Sequence, residues 1–185
     1  MRIISGTAGR RNIGVPKSVT RPSTDRLREA LFSILADRLV GAKVLDLFAG
    51  SGALGLEALS RGAASAVMVD DSAEAQKVIQ KNLDTLKLKN GRVVRADVFR
   101  FLDRDQGRYD LVFTDPPYFK QSNDRDFVGE LLTHEKLGDL MSEEALLIME
   151  DSLINQRDHV IGWNLIDQRQ YGGCGILFYQ RAAIT

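Results

Sequence analysis

The chain has a single cysteine, Cys174, so no internal disulfide can form and the fold must be held by its core. Beside Gly172, Gly173 and Gly175 that thiol reads as a small packing residue. Neither it nor the two histidines, His134 and His159, has the spacing of a metal-binding set, and no metal is expected. No apolar run approaches the length of a membrane span. Met1-Arg2-Ile3-Ile4-Ser5-Gly6 lacks the apolar stretch of a signal peptide, so a soluble, cytoplasmic protein in a reducing compartment is expected. Charge of one sign is missing too: 25 Lys and Arg balance 25 Asp and Glu. A binder that is basic over its whole surface is thereby excluded. With 44% apolar and 27% charged residues, disordered and fibrous classes drop out. The 185 residues allow one sizeable core and leave too little for two ordinary domains.

What charge there is lies unevenly. Residues 1–30 carry Arg2, Arg10, Arg11, Lys17, Arg21, Arg26 and Arg28 against Asp25 and Glu29, a net +5, which leaves −5 for the rest. A basic end on a mildly acidic body points to a phosphate-bearing partner. Arg10, Arg11, Lys17, Arg21, Arg26 and Arg28 are the candidate phosphate contacts. Internal ion pairs are the competing role for Arg21, Arg26 and Arg28, because arginine forms bidentate pairs readily. Gly6, Gly9 and Gly14 punctuate residues 1–20 as a short hairpin or arm, an appendage to one domain over 21–185.

Hydrophobic periodicity orders the remainder. Arg21-Pro22-Ser23-Thr24 introduces a helix, with Ser23 or Thr24 as N-cap and Leu27, Leu31, Ile34 and Leu35 on its apolar face. Strands are expected near 44–48, 65–69, 92–96, 111–114, 145–149, 163–168 and 175–181. Helices are expected at 54–60 and 72–88, with a mixed helix at 128–140. Strands alternating with helices form a mostly parallel sheet covered on both faces. The last two strands, joined at Gly172-Gly173 with no helix between, imply an antiparallel final strand.

The first strand runs into Asp46-Leu47-Phe48-Ala49-Gly50-Ser51-Gly52-Ala53-Leu54-Gly55. Gly50-x-Gly52-x-x-Gly55, with Asp70 at the tip of the next strand, satisfies the spacing of a dinucleotide fingerprint, so an NAD(P)-dependent oxidoreductase is one reading. Asp46 argues otherwise. A carboxylate there would repel the phosphates that a helix N-terminus attracts, whereas S-adenosylmethionine has no phosphate and carries an ammonium and a sulfonium. Asp70 suits a ribose diol, and Asp97, in Ala96-Asp97-Val98 at the third strand's end, is placed for an adenine amine. Asp46, Phe48, Ala49, Gly50, Ser51, Gly52, Asp70, Asp97 and Val98 are the candidate cofactor residues.

A fourth acid ends the strand Leu111-Val112-Phe113-Thr114, in Asp115-Pro116-Pro117-Tyr118. The Asp115 carboxylate and a backbone carbonyl can each accept from a planar –NH2 group, with prolines fixing the acceptors. Tyr118 can stack on the heterocycle that carries the amine. This is the equipment for methylating an exocyclic amine of a nucleobase, and an adenine-N6 methyltransferase on DNA or RNA is one candidate.

With both motifs in view, the chain resembles the RsmD family of 16S ribosomal RNA guanine-N2 methyltransferases. The likeness rests on Arg2-Ile3-Ile4-Ser5-Gly6 with Gly9-Arg10, on Arg21 to Phe32, and on Asp46 to Gly55 with Glu57-Ala58 and Arg61-Gly62-Ala63. Asn82 and Asp115 to Tyr118 complete it. Ser23 stands where that family usually has Thr, and Asp70 where it commonly has Glu. The resemblance implies a Rossmann-like class I methyltransferase fold, S-adenosyl-L-methionine as cofactor and S-adenosyl-L-homocysteine as product. It also implies 16S rRNA as partner, free or in a 30S particle; a monomer is the default expectation.

Overall fold

A computed structural model of the chain describes residues 1–17, 24–117, 125–151, 160–171 and 174–182. Arg21, Pro22, Ser23, Tyr118, His159 and Gly172-Gly173 lie outside the described residues. Seven strands are present among the described residues: β1 (Lys43–Leu47), β2 (Ser65–Asp70), β3 (Gly91–Arg95), β4 (Tyr109–Thr114), β5 (Met141–Asp151), β6 (Trp163–Tyr171) and β7 (Cys174–Arg181). They form one sheet in the order β3-β2-β1-β4-β5-β7-β6. Strands β1 to β5 pair in parallel, and β7 runs antiparallel between β5 and β6. The expected antiparallel final strand is therefore observed, and β6 rather than β7 takes the sheet edge.

The helices are α1 (Asp25–Ile34), α2 (Ala36–Leu39), α3 (Ala53–Ser60), α4 (Ala73–Leu86), α5 (Val98–Arg104), α6 (Phe127–Leu132) and α7 (Glu135–Asp139). Thr24 caps α1, its Oγ1 accepting the Leu27 N–H at 3.2 Å. Two expectations need correction. Residues 98–104, too short for a clear helical period, form α5, which starts because Asp97 caps it by accepting the Arg100 N–H at 3.0 Å. The single mixed helix expected over 128–140 is two helices broken at Thr133-His134.

Successive strand residues point to opposite faces, and two cores result. Val44, Phe113, Ile148 and Ile176 pack with Leu27, Leu31 and Phe32 of α1, Leu56 of α3 and Ile79 of α4. Leu45, Leu47, Val112, Leu147 and Leu177 face the other way, toward Leu102 of α5, Leu131 of α6 and Leu137 of α7.

Residues 1–17 are folded onto the first of these cores. Arg2 bridges Asn12, and the Ile3 N–H donates to the Arg11 carbonyl at 2.9 Å, making a hairpin. Ile3, Ala8 and Ile13 are buried. The carboxylate of Glu57 in α3, itself fully buried, accepts the N–H of Ile4 at 2.7 Å and of Ser5 at 3.0 Å. Asn82 of α4 clamps the other strand, accepting the Gly14 N–H at 2.8 Å while its amide donates to the carbonyls of Gly14 and Ser51. One buried amide thus joins the hairpin to the glycine loop.

Candidate active site

Four acids stand at the carboxyl ends of adjacent strands, where open α/β sheets hold ligands. Asp46 is buried beneath the glycine loop and accepts the Gly55 N–H at 2.9 Å. Burial pushes its carboxyl up to about 7; the Gly55 hydrogen bond opposes that rise and the neighbouring Asp70 charge adds to it. Asp70 braces the loop from the β2 side, accepting the N–H of Gly50 at 2.8 Å and of Ser72 at 2.9 Å. Asp97 is exposed at the start of α5.

The loop between β1 and α3 turns through left-handed backbone at Phe48 (φ 58°), Gly50 (φ 54°) and Gly52 (φ 75°). The left-handed backbone favours glycine at position 52, where a Cβ would also stand tightly, 3.1 Å from Ile79 and 3.2 Å from Met68. The result is a backbone cradle at the N-terminus of α3, floored by a carboxylate. That combination fits a cofactor bearing an ammonium and no phosphate. The Phe48 ring meets Phe127 edge-on at 5.3 Å, and Phe99 stacks on Phe127 at 6.3 Å, an apolar wall beside Asp97. The Arg125 guanidinium lies 4.7 Å from the Phe99 and Phe127 rings and pairs with Glu130. Nothing in the spacing of three separated phenylalanines announced this wall. Ser51 and Ala49 are buried, and Ser51 turns its hydroxyl toward Met1. The Val98 side chain is buried in the core, which leaves its backbone as the part that can face a cofactor.

Asp115 follows the last residue of β4, between β1 and β5. Burial, then the negative charges of Glu150 and Asp46, hold its carboxyl well above the usual carboxylate range. Pro116 is buried and Pro117 exposed. Two recesses meet here. One lies under α1 between Leu27, Arg28, Leu54, Thr114 and Glu150; the other is bounded by Pro116, Pro117, Phe127 and Glu150. Because β4 pairs with β1 in parallel, the Asp-Pro-Pro turn leaves the same edge of the sheet as the glycine loop, one strand away.

Known proteins resemble this chain over nearly its whole length. The family described as Conserved hypothetical protein 95 matches residues 1–180. Ribosomal RNA small subunit methyltransferase D of Escherichia coli is 41% identical over 99% of this chain and 91% of its own length. The chain belongs to the RsmD family. The solved structure of the Escherichia coli protein yhhF superposes with a TM-score of 0.83 at 38% identity, covering 100% of this chain and 99% of that one. More distantly, the fold is shared with the methyltransferase-like SMU.776 in complex with SAH, at a TM-score of 0.63 and 18% identity over 80% of this chain and 48% of that chain. This RsmD-family chain is a methyltransferase with the class I fold.

Its basic residues divide sharply. Arg28 has no exposed surface: its Nη2 donates to the Arg2 carbonyl at 2.9 Å and to Asp25 at 2.7 Å, and Nη1 stands 3.9 Å from Glu57. The expectation that Arg28 contacts phosphate is corrected, because α1 turns this guanidinium inward onto Asp25 and Glu57. Arg11 is tied to the carbonyls of Thr85 and Leu86 at the end of α4. Arg10 and Arg26 are exposed, as is Lys17, whose backbone N–H donates to Glu74. Cys174, expected as filler, sets its Sγ 2.9 Å from Glu150 Oε1.

Proposed function

We propose that the protein transfers the methyl group of S-adenosyl-L-methionine to the exocyclic N2 amine of a guanine in 16S ribosomal RNA, in the cytoplasm and as a monomer. The observation that carries this reading is the Asp115-Pro116-Pro117 turn one strand away from the cradle at Gly50 and Gly52. The name of the Escherichia coli relative supplies the RNA.

Gly50, Gly52 and Asp46 would hold the amino-acid end of the cofactor, Asp70 the ribose and Asp97 the adenine. When bound, S-adenosyl-L-methionine supplies a methyl group on an electrophilic sulfonium. The rest falls to the chain. A guanine amine is conjugated with its ring and is a poor nucleophile. The Asp115 carboxylate and the Pro116 carbonyl accept its two N–H bonds and aim its lone pair, so that orientation supplies much of the acceleration. Asp115 also offsets the positive charge that grows on that nitrogen. Its raised proton affinity suits it to take the proton the amine loses. Tyr118 would stack on a base flipped out of the RNA. Arg10 and Arg26, with Lys17 and Arg21, would contact phosphate, in free RNA or in a 30S particle.

Mass spectrometry of 16S RNA from cells lacking the gene tests this reading. One N2-methylguanosine should be missing, and purified protein with S-adenosyl-L-methionine should restore it. An intact methylation pattern would falsify it.

A further inference from the structure

Asp115 has a neighbour that the motif does not contain. Thr114 of β4 stands in register with Met149 of β5, so the next step along these parallel strands sets Asp115 beside Glu150. The two also share a face. Phe113 and Ile148 both belong to the core under α1, and Asp115 and Glu150 each lie two residues further on. Parallel strands lie about 4.8 Å apart, which suits two carboxylates reading neighbouring atoms of one flat ring. Glu150 borders both recesses at the strand ends, and the Cys174 thiol of β7 fixes its Oε1 at 2.9 Å.

We propose that Glu150 is a specificity residue that reads the N1–H of the target guanine while Asp115 holds the N2 amine. This rests on the guanine-N2 reading above. Guanine presents N1–H and N2–H2 side by side, two adjacent donors for two adjacent carboxylates. Adenine presents an unprotonated N1 next to its amine, and its lone pair would face the Glu150 charge. A site that hydrogen-bonds one partner rejects the analogue lacking it far more strongly than shape alone allows. Glu150 therefore selects guanine, and Asp115 supplies the chemistry common to amine methylation.

The test uses 2-aminopurine, which keeps the N2 amine and leaves N1 unprotonated. The methylated position is first located in 16S RNA from cells lacking the gene, treated with purified protein; RNA ligated with 2-aminopurine at that position is then compared. Wild type should prefer guanine over 2-aminopurine by roughly 10- to 100-fold, the scale of one hydrogen bond to a charged group. Glu150→Gln, whose amide can donate to a bare N1, should bring the two substrates to parity or reverse their order. Glu150→Asp keeps the carboxylate and should keep the preference at a lower rate. Parallel loss on both substrates in Glu150→Gln overturns the role of Glu150 alone. Methylation of an adenine instead of a guanine overturns the functional reading and this inference together.

Discussion

Arg28 and Glu57 bury opposite charges 3.9 Å apart beneath the N-terminal hairpin, with neither side chain exposed. Removing one member of such a pair leaves an uncompensated buried charge. Glu57 also receives the N–H groups of Ile4 and Ser5 and pairs with Arg61 at 2.7 Å. Glu57→Ala should therefore cost about 3–5 kcal/mol in urea unfolding and raise hydrogen exchange at Ile4 and Ser5. Arg28→Ala should behave alike, losing stability before it loses RNA affinity. A fully stable Arg28→Ala protein with weakened RNA binding would reverse the assignment of Arg28.

The exposed arginines make the complementary case. Arg10→Ala and Arg26→Ala should leave the unfolding midpoint within about 0.5 kcal/mol, as surface substitutions do. Each should flatten the slope of log affinity against log salt for 16S RNA by about 1. Point substitution is the right instrument, since cutting away residues 1–17 would strip Ile3, Ala8 and Ile13 from the core.

At the chemical centre, Asp115→Asn should lower methyl transfer by about a hundredfold or more, on the scale of a lost charge-stabilising group. Cofactor affinity measured by calorimetry should stay within about tenfold, or about 1.4 kcal/mol. Because burial and the charges of Glu150 and Asp46 raise the Asp115 carboxyl, its ionised form, the one proposed to hold the amine, fills only as pH climbs past the ordinary carboxylate range. The single-turnover rate should rise with pH in wild type, and this limb should vanish in Asp115→Asn.

Asp46 gives a stability signature of its own. Its carboxyl rises from 3.8 to about 7 on folding, so the folded state holds a proton that the unfolded state has lost between those values. Its contribution is complete below about pH 4 and is lost as pH climbs through 7. Relative to Asp46→Asn, wild type should lose about 1.4 kcal/mol per pH unit across that window. Parallel stability curves for the two proteins from pH 4 to 8 would overturn the burial argument.

The glycine cradle is tested at Gly52. A side chain there meets left-handed backbone, at about 1–2 kcal/mol, and closes on Ile79 and Met68. Gly52→Ala should weaken S-adenosyl-L-methionine binding at least tenfold by calorimetry, with a loss of stability of that order.

The alternation of β-branched and aliphatic runs with amphipathic helices dictated a mostly parallel sheet, and the motifs at its strand ends were readable because their chemistry is local. Gly50, Gly52 and Asp115 each owe their role to backbone freedom or charge within a few residues. Helix α5 escaped notice because seven residues give barely two turns of periodicity. Burial of Arg28 could not be read at all, since an arginine in a basic stretch looks the same in sequence whether it faces solvent or a buried glutamate 29 residues away. Asp115 and Glu150 are 35 residues apart in the chain, and only strand register makes them neighbours. The sequence by itself determined the fold class and placed the glycine loop and the Asp-Pro-Pro turn at strand ends. Tertiary structure alone decided which charges are buried and which carboxylates face one another, because burial and register belong to the packed chain.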